Sequence, residues 1–317
     1  MIPFLARRLA WTLLVLVAIG LITFLLTFVA PGDPARAIAG RNASAESVER
    51  IRHALGLDQS ILAQLAGYVG RIAHGDFGHS FKKDADVLPY IVARLPATIQ
   101  LAVGGLVVAL VLGIPIGMHS ARHPRGRVDR VGGLLTSALV AAPSFWVGYM
   151  LLFAFAFLPA ARLGIELFPI GQYRPLDLRY LALPALTLGL GGAAYYARIT
   201  RTAMLDELGL DYIRTARSQG FAERRIAWHH ALRNAIPPIL AQAGLDLGFF
   251  LGGVVVIEAV FSWPGIGKLA VDAVTAEDLP MLMGTVLFAS LCVVLANLAV
   301  EVLIAFVDPR VRLDGSR

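Results

Sequence analysis

Few residues in this chain have both the type and the spacing that enzyme chemistry requires. Gly267 and Lys268 look like the end of a phosphate-binding loop, but such a loop needs a glycine five residues before Gly267 and Ser or Thr after the lysine. Ser262 and Leu269 occupy those two positions. The segment therefore predicts no nucleotide site, and any ATP hydrolysis linked to this protein must come from a separate chain.

Nucleophilic and metal chemistry are also poorly supported. Ser144, in APSFW, could act as a nucleophile, but the seven histidines lie in loops or near the ends of apolar runs, so none is placed to be its base. His229 and His230 are neighbours, and neighbouring residues on a helix point about 100° apart, so the pair would chelate a metal poorly. We therefore predict no catalytic residue and no metal site.

Three acidic residues interrupt long apolar runs: Asp246, Glu258 and Glu301. A charged side chain inside a membrane span costs about 2.5–3.5 kcal/mol on insertion scales, so each carboxylate needs a partner or a function. Two interpretations stay open: each lines a polar path, or each pairs with a polar neighbour. Glu258 precedes the segment FSWPGIG (261–267), whose Phe261 and Trp263 join it as candidates for an outer gate or a translocation path.

The apolar runs predict a membrane protein. The chain of 317 residues is 57% hydrophobic and 16% charged, whereas soluble domains carry roughly 25% charged residues. Six runs are long enough to cross a hydrocarbon core as helices, which takes about 20 residues each. They cover residues 9–30, 98–119, 131–159, 179–200, 236–260 and 281–307. The predicted fold is an all-α polytopic membrane protein with six transmembrane helices.

The remaining composition excludes some other classes. The net charge of +6 is spread over short clusters beside apolar runs, so we expect contact with membrane lipid and no nucleic-acid binding. The first run could be a cleaved signal peptide, because Arg7 and Arg8 precede it and ARA (35–37) follows. A signal core has about 7–15 residues, and this run is longer, so we expect a retained helix. Cys292 is the only cysteine and forms no internal disulfide.

Basic residues beside the runs predict the orientation in the membrane. Sixteen arginines lie in the N-terminus, the 120–130 loop, the 198–235 segment and the C-terminal tail, whereas the two short opposite loops carry four basic residues. Positive loops stay in the cytoplasm, so both termini are predicted to be cytoplasmic. The chain then divides into an N-terminus with the first helix (1–30), an extracytoplasmic cap segment (31–97), a five-helix core (98–307) and a cytoplasmic tail (308–317).

Local signals refine this division. In the cap segment SAESVERIRHALGLD predicts a short amphipathic helix capped by Ser44, and HGDFGHSF (74–81) predicts turns. In the fifth run Gly244, Gly248 and Gly252 are four residues apart and would share one helix face. Small residues let helices approach closely in lipid, so we expect a packing seam there, with a role in helix sliding as the alternative.

A polar stretch of nearly forty residues, 198–235, separates the fourth and fifth runs. TRTAMLDELGLDYIRTARSQ contains good helix formers, Gly220 is a natural helix stop, and FAERRIAWHHALRN can restart a helix. We expect two short helices with a corner at Gly220 that projects Phe221 and Ala222 away from the membrane. Such an apolar tip could enter a groove on a cytoplasmic partner; alternatively, the helices could lie on anionic lipid.

This stretch resembles the cytoplasmic loop of binding-protein-dependent ABC-importer permeases, written Glu-Ala-Ala, three residues, Gly, nine residues, Ile-x-Leu-Pro. With the motif glycine on Gly220, Ala216 and Leu232 also match. The glutamate, the first alanine, the isoleucine and the proline are replaced by Arg214, Thr215, His230 and Arg233.

The dipeptide, oligopeptide and nickel subgroup of this family is a closer match. The resemblance rests on phrases that occur in order along nearly the whole chain: PGDP (31–34), GDFGHS (75–80), RLPATIQL (94–101), FWVG (145–148), LPALTLGL (183–190), DYIRTARSQGF (211–221), HALRNAIPP (230–238) and FSWPGIG (261–267).

The resemblance implies a type I ABC importer permease in a bacterial plasma membrane. Such a subunit pairs with a second, homologous permease, as a heterodimer in this subgroup, with two ATPase subunits and with an extracytoplasmic solute-binding protein. ATP and Mg²⁺ would bind the ATPases, and this chain would bind no cofactor. The motif loop would be the coupling helix that docks on an ATPase, formed here by Arg214, Thr215, Ala216, Arg217, Gly220, Phe221, Ala222 and Glu223.

The resemblance does not name the cargo, which in this subgroup is a dipeptide, a longer peptide, a nickel chelate or a glutathione-like compound. The competing function is an ion-coupled secondary transporter. That class carries its own coupling-ion site, usually with acidic residues near broken helices. Asp246 and Glu301 are the only deep candidates, and the sequence shows no inverted repeat.

Overall fold

The computed structural model describes residues 2–25, 33–39, 43–54 and 56–307, which are mostly helical. The chain forms two compact units. Unit 1 takes its described residues from 2–98, 251–255 and 264–299; unit 2 takes its own from 99–250, 256–263 and 300–307. Most of the turn signal APGDP, and the tail after residue 307, lie outside the described residues.

Unit 1 contains the first long helix and the cap segment. Its elements are α1 (Ile2–Phe24), α2 (Pro34–Ala39), α3 (Ala45–Ala54), α4 (Ile61–Ala73) and the antiparallel strands β1 (His79–Ser80) and β2 (Ala85–Asp86), followed by the start of α5 (Val87–Arg122). The predicted helix in the cap is confirmed as α3. Its cap is confirmed as well, because the Ser44 hydroxyl accepts a hydrogen bond from the Ser47 N–H at 3.2 Å.

The strand pair anchors the beginning of the last helix. Residues 279–299 of that helix lie in the same unit, together with α14 (Ile266–Thr275). The Ser80 hydroxyl donates to the carboxylate of Asp278 at 2.5 Å, and both side chains are buried. The other oxygen of Asp278 accepts from the N–H of Met281, in the first turn of α15 (Leu279–Val307). Both oxygens of the buried Asp278 carboxylate thus accept a hydrogen bond, as buried polar groups in proteins usually do.

Unit 2 is built around the later helices. After α5 these are α6 (Arg127–Ala141), α7 (Ser144–Leu152), a π-helical segment (Phe153–Phe157), α8 (Leu158–Leu163), α9 (Leu178–Leu208), α10 (Asp211–Ser218), α11 (Glu223–Arg225), a second π-helical segment (Ile226–Ala231), α12 (Leu232–Leu251) and α13 (Val255–Val260), the last straddling the division between the units. Helix α9 packs against both α6 and α7.

Four of the described helical stretches are long and apolar enough to cross a membrane: Arg7–Phe24, Val87–Arg122, Ser144–Leu163 and Leu279–Val302. They correspond to the first, second, third and sixth predicted runs. The fourth and fifth runs are helical as well, in α9 and α12.

Two runs are not the single helices that we predicted. The third run breaks between α6 and α7, because Pro143 has no N–H to continue a helix and favours an extended residue before it; Ala142 has ψ 130°. The fifth run breaks after Leu251, where Gly253 takes φ +102°. A glycine adopts this left-handed conformation without steric cost.

Helices α5 and α9 approach each other closely in unit 2. A Cβ added to Gly113 would lie 2.6 Å from Tyr196 Cβ and 2.9 Å from the carbonyl oxygen of Ala193. A Cβ added to Gly117 would overlap the carbonyl oxygen of Ala197. Backbone cannot move aside as a flexible side chain can, so glycine is required at both places. The residue spacing, Gly-x-x-x-Gly, is typical of tightly packed membrane helices.

The predicted seam of Gly244, Gly248 and Gly252 is present only in part. A Cβ on Gly244 would overlap the side chain of Val300, so this glycine does permit close packing. Gly248 is buried. Gly252 follows the end of α12 and therefore does not share its helix face, which corrects that part of the prediction.

A polar cluster joins α9 to α12 and explains one of the three acidic residues. The Tyr196 hydroxyl donates to Asp246 Oδ2 at 2.6 Å, and Gln242 Nε2 donates to Asp246 Oδ1 at 2.8 Å. Tyr196 is 1% exposed. Of the two interpretations left open for Asp246, the structure contains the internal pairing.

We expect Gly117→Leu to destabilise unit 2, since the new side chain must push against the backbone of α9. Overpacking of this kind costs on the order of 1–3 kcal/mol. Gly133→Leu is the matched control, because a Cβ on Gly133 of α6 meets no atom within 4 Å. The measurement is the thermal unfolding midpoint of the detergent-solubilised complex; equal midpoints for the two variants would contradict the close approach of α5 and α9.

We expect Tyr196→Phe to lower the same midpoint, because it removes a hydrogen bond between two helices; such bonds contribute about 0.6–1.7 kcal/mol in membrane proteins. Tyr195→Phe serves as the control, since Tyr195 is more exposed and makes no hydrogen bond through its hydroxyl within the described residues. A midpoint for Tyr196→Phe as high as that of Tyr195→Phe would show that the Tyr196–Asp246 contact does not hold the helices together.

Candidate functional site

The corner predicted at Gly220 is present, and we call residues 211–225 the elbow. Helix α10 ends in two capping hydrogen bonds: the Gly220 N–H donates to Arg217 O at 3.0 Å, and the Phe221 N–H donates to Ala216 O at 3.2 Å. Gly220 has φ +81°. These bonds and this left-handed residue form a Schellman motif, which satisfies carbonyls at the end of a helix and fixes the direction in which the chain leaves.

The chain re-enters a helix two residues later. Ala222 is extended, with φ −61° and ψ 140°, and precedes Glu223 at the start of α11. From there the helical backbone continues through the second π-helical segment and α12 to Leu251. The far side of the elbow is therefore the beginning of one long helical stretch rather than an isolated short helix.

A charged contact crosses the corner. Arg217 Nε donates to Glu223 Oε1 at 2.8 Å, and Arg217 Nη2 donates to Oε2 at 3.4 Å. This contact holds the pKa of Glu223 below its ordinary value. Both side chains are about half exposed, and surface ion pairs contribute little to stability. Their effect here is geometric, because the two-point contact keeps the two helices of the elbow at one angle.

The underside of the elbow is an apolar cluster that we call the seat. Its members are buried and come from α5, α9, α10 and the helical stretch that begins at Glu223: Met118, Ala121, Met204, Ile213, Ala216, Ile226, Ala227, Ala231, Leu232 and Ala235. Ile213, Met204 and Ile226 are completely buried. The elbow is thus packed directly on the ends of the two long helices α5 and α9.

Phe221 is not part of an exposed apolar tip, which corrects that expectation. It is half-buried and packs against the seat. Its ring lies 5.5 Å from that of His230, and the guanidinium of Arg225 lies 5.0 Å from its centroid. A bulky aromatic beside an apolar cluster gains more by burial than by projecting into water. Ala222 and Gly220 are exposed, as expected, and the tip is therefore small.

The other predicted docking residues divide in the same way. Arg214, Thr215, Arg217 and Glu223 are exposed, whereas Ala216 is 5% exposed and belongs to the seat. Arg214 pairs with Asp211 one turn earlier, with Nη1 2.9 Å from Oδ1. Asn234 Nδ2 donates to the Tyr212 hydroxyl at 3.0 Å, which ties α10 to the beginning of α12.

An ion pair outside the elbow fixes the helix that leads into it. Arg201 on α9 donates from Nε and Nη2 to the two oxygens of Asp129, at 2.7 and 3.0 Å. The hydrogen bond from Arg201 holds the pKa of Asp129 below its ordinary value. Asp129 stands in the first turn of α6, where a negative charge is also favoured by the helix dipole. This pair was not predicted from the sequence, since its two members lie 72 residues apart.

The outer-gate candidates are buried in unit 2. Glu258 and Trp263 are 0% exposed and Phe261 is 3% exposed. The ring of Trp263 packs edge-on against Tyr173, with centroids 4.8 Å apart. Gly148 lies beneath Phe261, since a Cβ there would be 3.2 Å from the Phe261 ring. A role for these residues in a path or gate stays a prediction. Glu301, in α15, is half-buried.

The similarity to known proteins extends over nearly the whole chain. Residues 113–313 match the family of the binding-protein-dependent transport system inner membrane component, and residues 1–102 match the N-terminal part described for such membrane components. A Brucella abortus (strain 2308) protein, named as a candidate peptide transport system permease, is 40% identical over 316 residues, covering 97% of this chain and 98% of its own. The glutathione transport system permease protein GsiC of Salmonella choleraesuis is 36% identical over 312 residues, covering 98% and 99%.

A solved structure is similar in fold. It is that of the MetNI methionine ABC transporter in inward-facing conformations, with a TM-score of 0.54 and 16% identity, covering 70% of this chain and 97% of that one. The relatives support an ABC importer over an ion-coupled transporter. Permeases of this kind are multi-pass inner-membrane proteins that are not themselves enzymes and work with ATPase and substrate-binding partners. This chain belongs to the family of binding-protein-dependent transport system inner membrane components, the permease subunits of ABC importers.

Proposed function

We propose that this chain is one of two permease subunits in an ATP-driven importer of peptides or of a small peptide such as glutathione. The cargo assignment is supported by the names of relatives that are 40% and 36% identical over nearly their full length. An extracytoplasmic binding protein selects the cargo and delivers it. The second permease is a different but related chain, as is usual in the subgroup that this sequence resembles.

The elbow is the docking site for a partner ATPase. The observation that carries this assignment is its combination of an exposed corner with a buried underside: Gly220 and Ala222 are open to solvent, whereas Ile213 and Ile226 are completely buried. A corner built in this way presents a fixed shape to a partner without having to be ordered on binding, which lowers the cost of association.

The same contacts provide a route for movement. When the ATPases close on ATP, the elbow moves with them, and the seat passes that displacement to α5 and α9. The helical stretch from Glu223 to Leu251 carries it directly into α12. This chain transmits free energy and breaks no bond; ATP and Mg²⁺ bind the partner subunits, and no cofactor binds here.

In the assembled importer the chain crosses the membrane six times, with both termini and the elbow in the cytoplasm. The distribution of arginines supports this orientation, because sixteen of them flank the segments placed inside. The breaks at Ala142–Pro143 and at Gly253 interrupt the third and fifth crossings without removing them, since apolar helix continues on either side.

We expect Gly220→Asp to leave membrane insertion intact and to abolish ATP-dependent uptake. A side chain at this position meets no atom within 4 Å inside the chain, so its effect falls on the docked partner; the loss of docking energy is on the order of 2 kcal/mol, typical of an interface hot spot. The measurements are uptake of a labelled dipeptide by membrane vesicles and recovery of the ATPases with the affinity-purified permease.

Gly164→Asp is the matched control. Gly164 is also a left-handed glycine at a helix end, with φ +65° and no atom within 4 Å of an added Cβ, but it follows α8. Both variants therefore carry the same backbone strain. Normal uptake by Gly220→Asp, or equal loss of ATPase from both variants, would contradict docking at the elbow. Uptake driven by a proton gradient in the purified chain alone would contradict the importer itself.

A further inference from the structure

We infer that the ATPase groove that receives the elbow is acidic and that Arg224 and Arg225 supply the matching positive charge. This inference rests on the proposed docking function and specifies the chemistry of the partner surface. Charge complementarity across an interface steers association and selects the correct partner.

The elbow and the helical turns after it carry an excess of positive charge. Residues 211–233 contain five arginines and two carboxylates. Both carboxylates are already paired within the elbow, Asp211 with Arg214 and Glu223 with Arg217. The three remaining arginines, Arg224, Arg225 and Arg233, are exposed, and none has an ion pair with a described carboxylate.

Arg224 and Arg225 are the two that stand at the corner. They follow Glu223 directly in the first helical turn, and the two-point contact from Arg217 to Glu223 fixes the start of that turn. Arg225 also lies over the ring of Phe221, which is packed on the seat. Arg225 is therefore held beside the corner, and Arg224 precedes it in the same exposed turn, so a groove that accepts Gly220 and Ala222 must also accommodate the charge of both arginines.

The exposed surface of the tip fits a protein groove better than a bilayer. A helix that lies on lipid needs an exposed apolar face. At the corner itself, over residues 213–227, the large apolar side chains are Ile213, Phe221 and Ile226, and none of them is exposed, because the chain's own seat covers them; the exposed aromatics Tyr212 and Trp228 flank this stretch. Positive charge at a corner whose large apolar side chains are covered is typical of a docking surface that meets carboxylates.

Ala222 allows a test in which charge alone is varied. It is the residue before the first helical turn, it is exposed, and its side chain caps nothing. Asp and Asn are nearly equivalent helix caps and nearly equal in size. Ala222→Asp and Ala222→Asn therefore change the local fold alike and differ in one negative charge.

The measurement is retention of the co-purified ATPases on the affinity-immobilised permease, in the full detergent-solubilised complex, as sodium chloride is raised. We expect Ala222→Asp to bind the ATPases on the order of tenfold more weakly than Ala222→Asn, because the two variants add the same bulk and differ in charge. Wild-type retention should itself weaken with salt, because exposed charges are screened. Equal retention by the two variants, or retention that does not change with salt, would overturn the acidic groove.

A second pair of variants separates the corner from general positive charge. The double substitution Arg224→Gln and Arg225→Gln should release the ATPases at lower salt than the wild type. Arg127→Gln with Arg130→Gln is the matched control, because these two arginines are exposed in another segment predicted to be cytoplasmic. An equal effect of both pairs would overturn the assignment of the charge to the corner.

Lipid binding and failure of docking give different results. If the Arg224→Gln, Arg225→Gln permease keeps its ATPases but loses activity only in vesicles that contain phosphatidylglycerol, the corner binds lipid and the inference is wrong. If the wild-type permease retains no ATPase at any salt concentration, the proposed docking function fails as well.

Discussion

The apolar seat beneath the elbow is the contact on which the other features of this subunit depend. Burying Ile213 and Ile226 against Met118 and Met204 removes large apolar side chains from water, each contributing on the order of 1.5–3 kcal/mol. This gain holds a polar, arginine-rich stretch in one place beside the ends of two long helices. Without it, the capping bonds and the Arg217–Glu223 contact would shape a corner that is attached only through its chain ends and the hydrogen bond between Tyr212 and Asn234.

Sequence reasoning located the corner because its signal is local. Gly220 is a helix stop by its own conformational freedom, and Ser44 caps a helix by its own hydroxyl, so neither depends on distant residues. The direction of Phe221 could not be read in this way. Whether an aromatic beside a corner points outward or inward depends on the cluster next to it, and that cluster is assembled from four separate segments.

Hydrophobic runs were a good guide to helices and a poor guide to their continuity. An apolar run shows which residues can lie in hydrocarbon. Pro143 and Gly253 interrupt the helical backbone without lowering the hydropathy of the run, so the breaks do not show in the hydropathy. The spacing of glycines likewise did not show which of them lie at a close helix contact. Gly113 and Gly117 have the same four-residue spacing as Gly244 and Gly248, and only the position of α9 places its backbone atoms against them. Asp246 likewise found its partner, Tyr196, fifty residues away in sequence.

The consecutive prolines Pro237 and Pro238 lie inside α12, within the long helical stretch that begins at the elbow. Neither can donate a backbone hydrogen bond, so the helix lacks two consecutive backbone hydrogen bonds at this position. Opening the helix there sacrifices fewer bonds than opening it elsewhere, and bends in helices concentrate at such positions. The helix that leaves the elbow is thus easiest to bend one turn past Arg233. A force applied at the elbow would tilt the part of α12 that follows the two prolines.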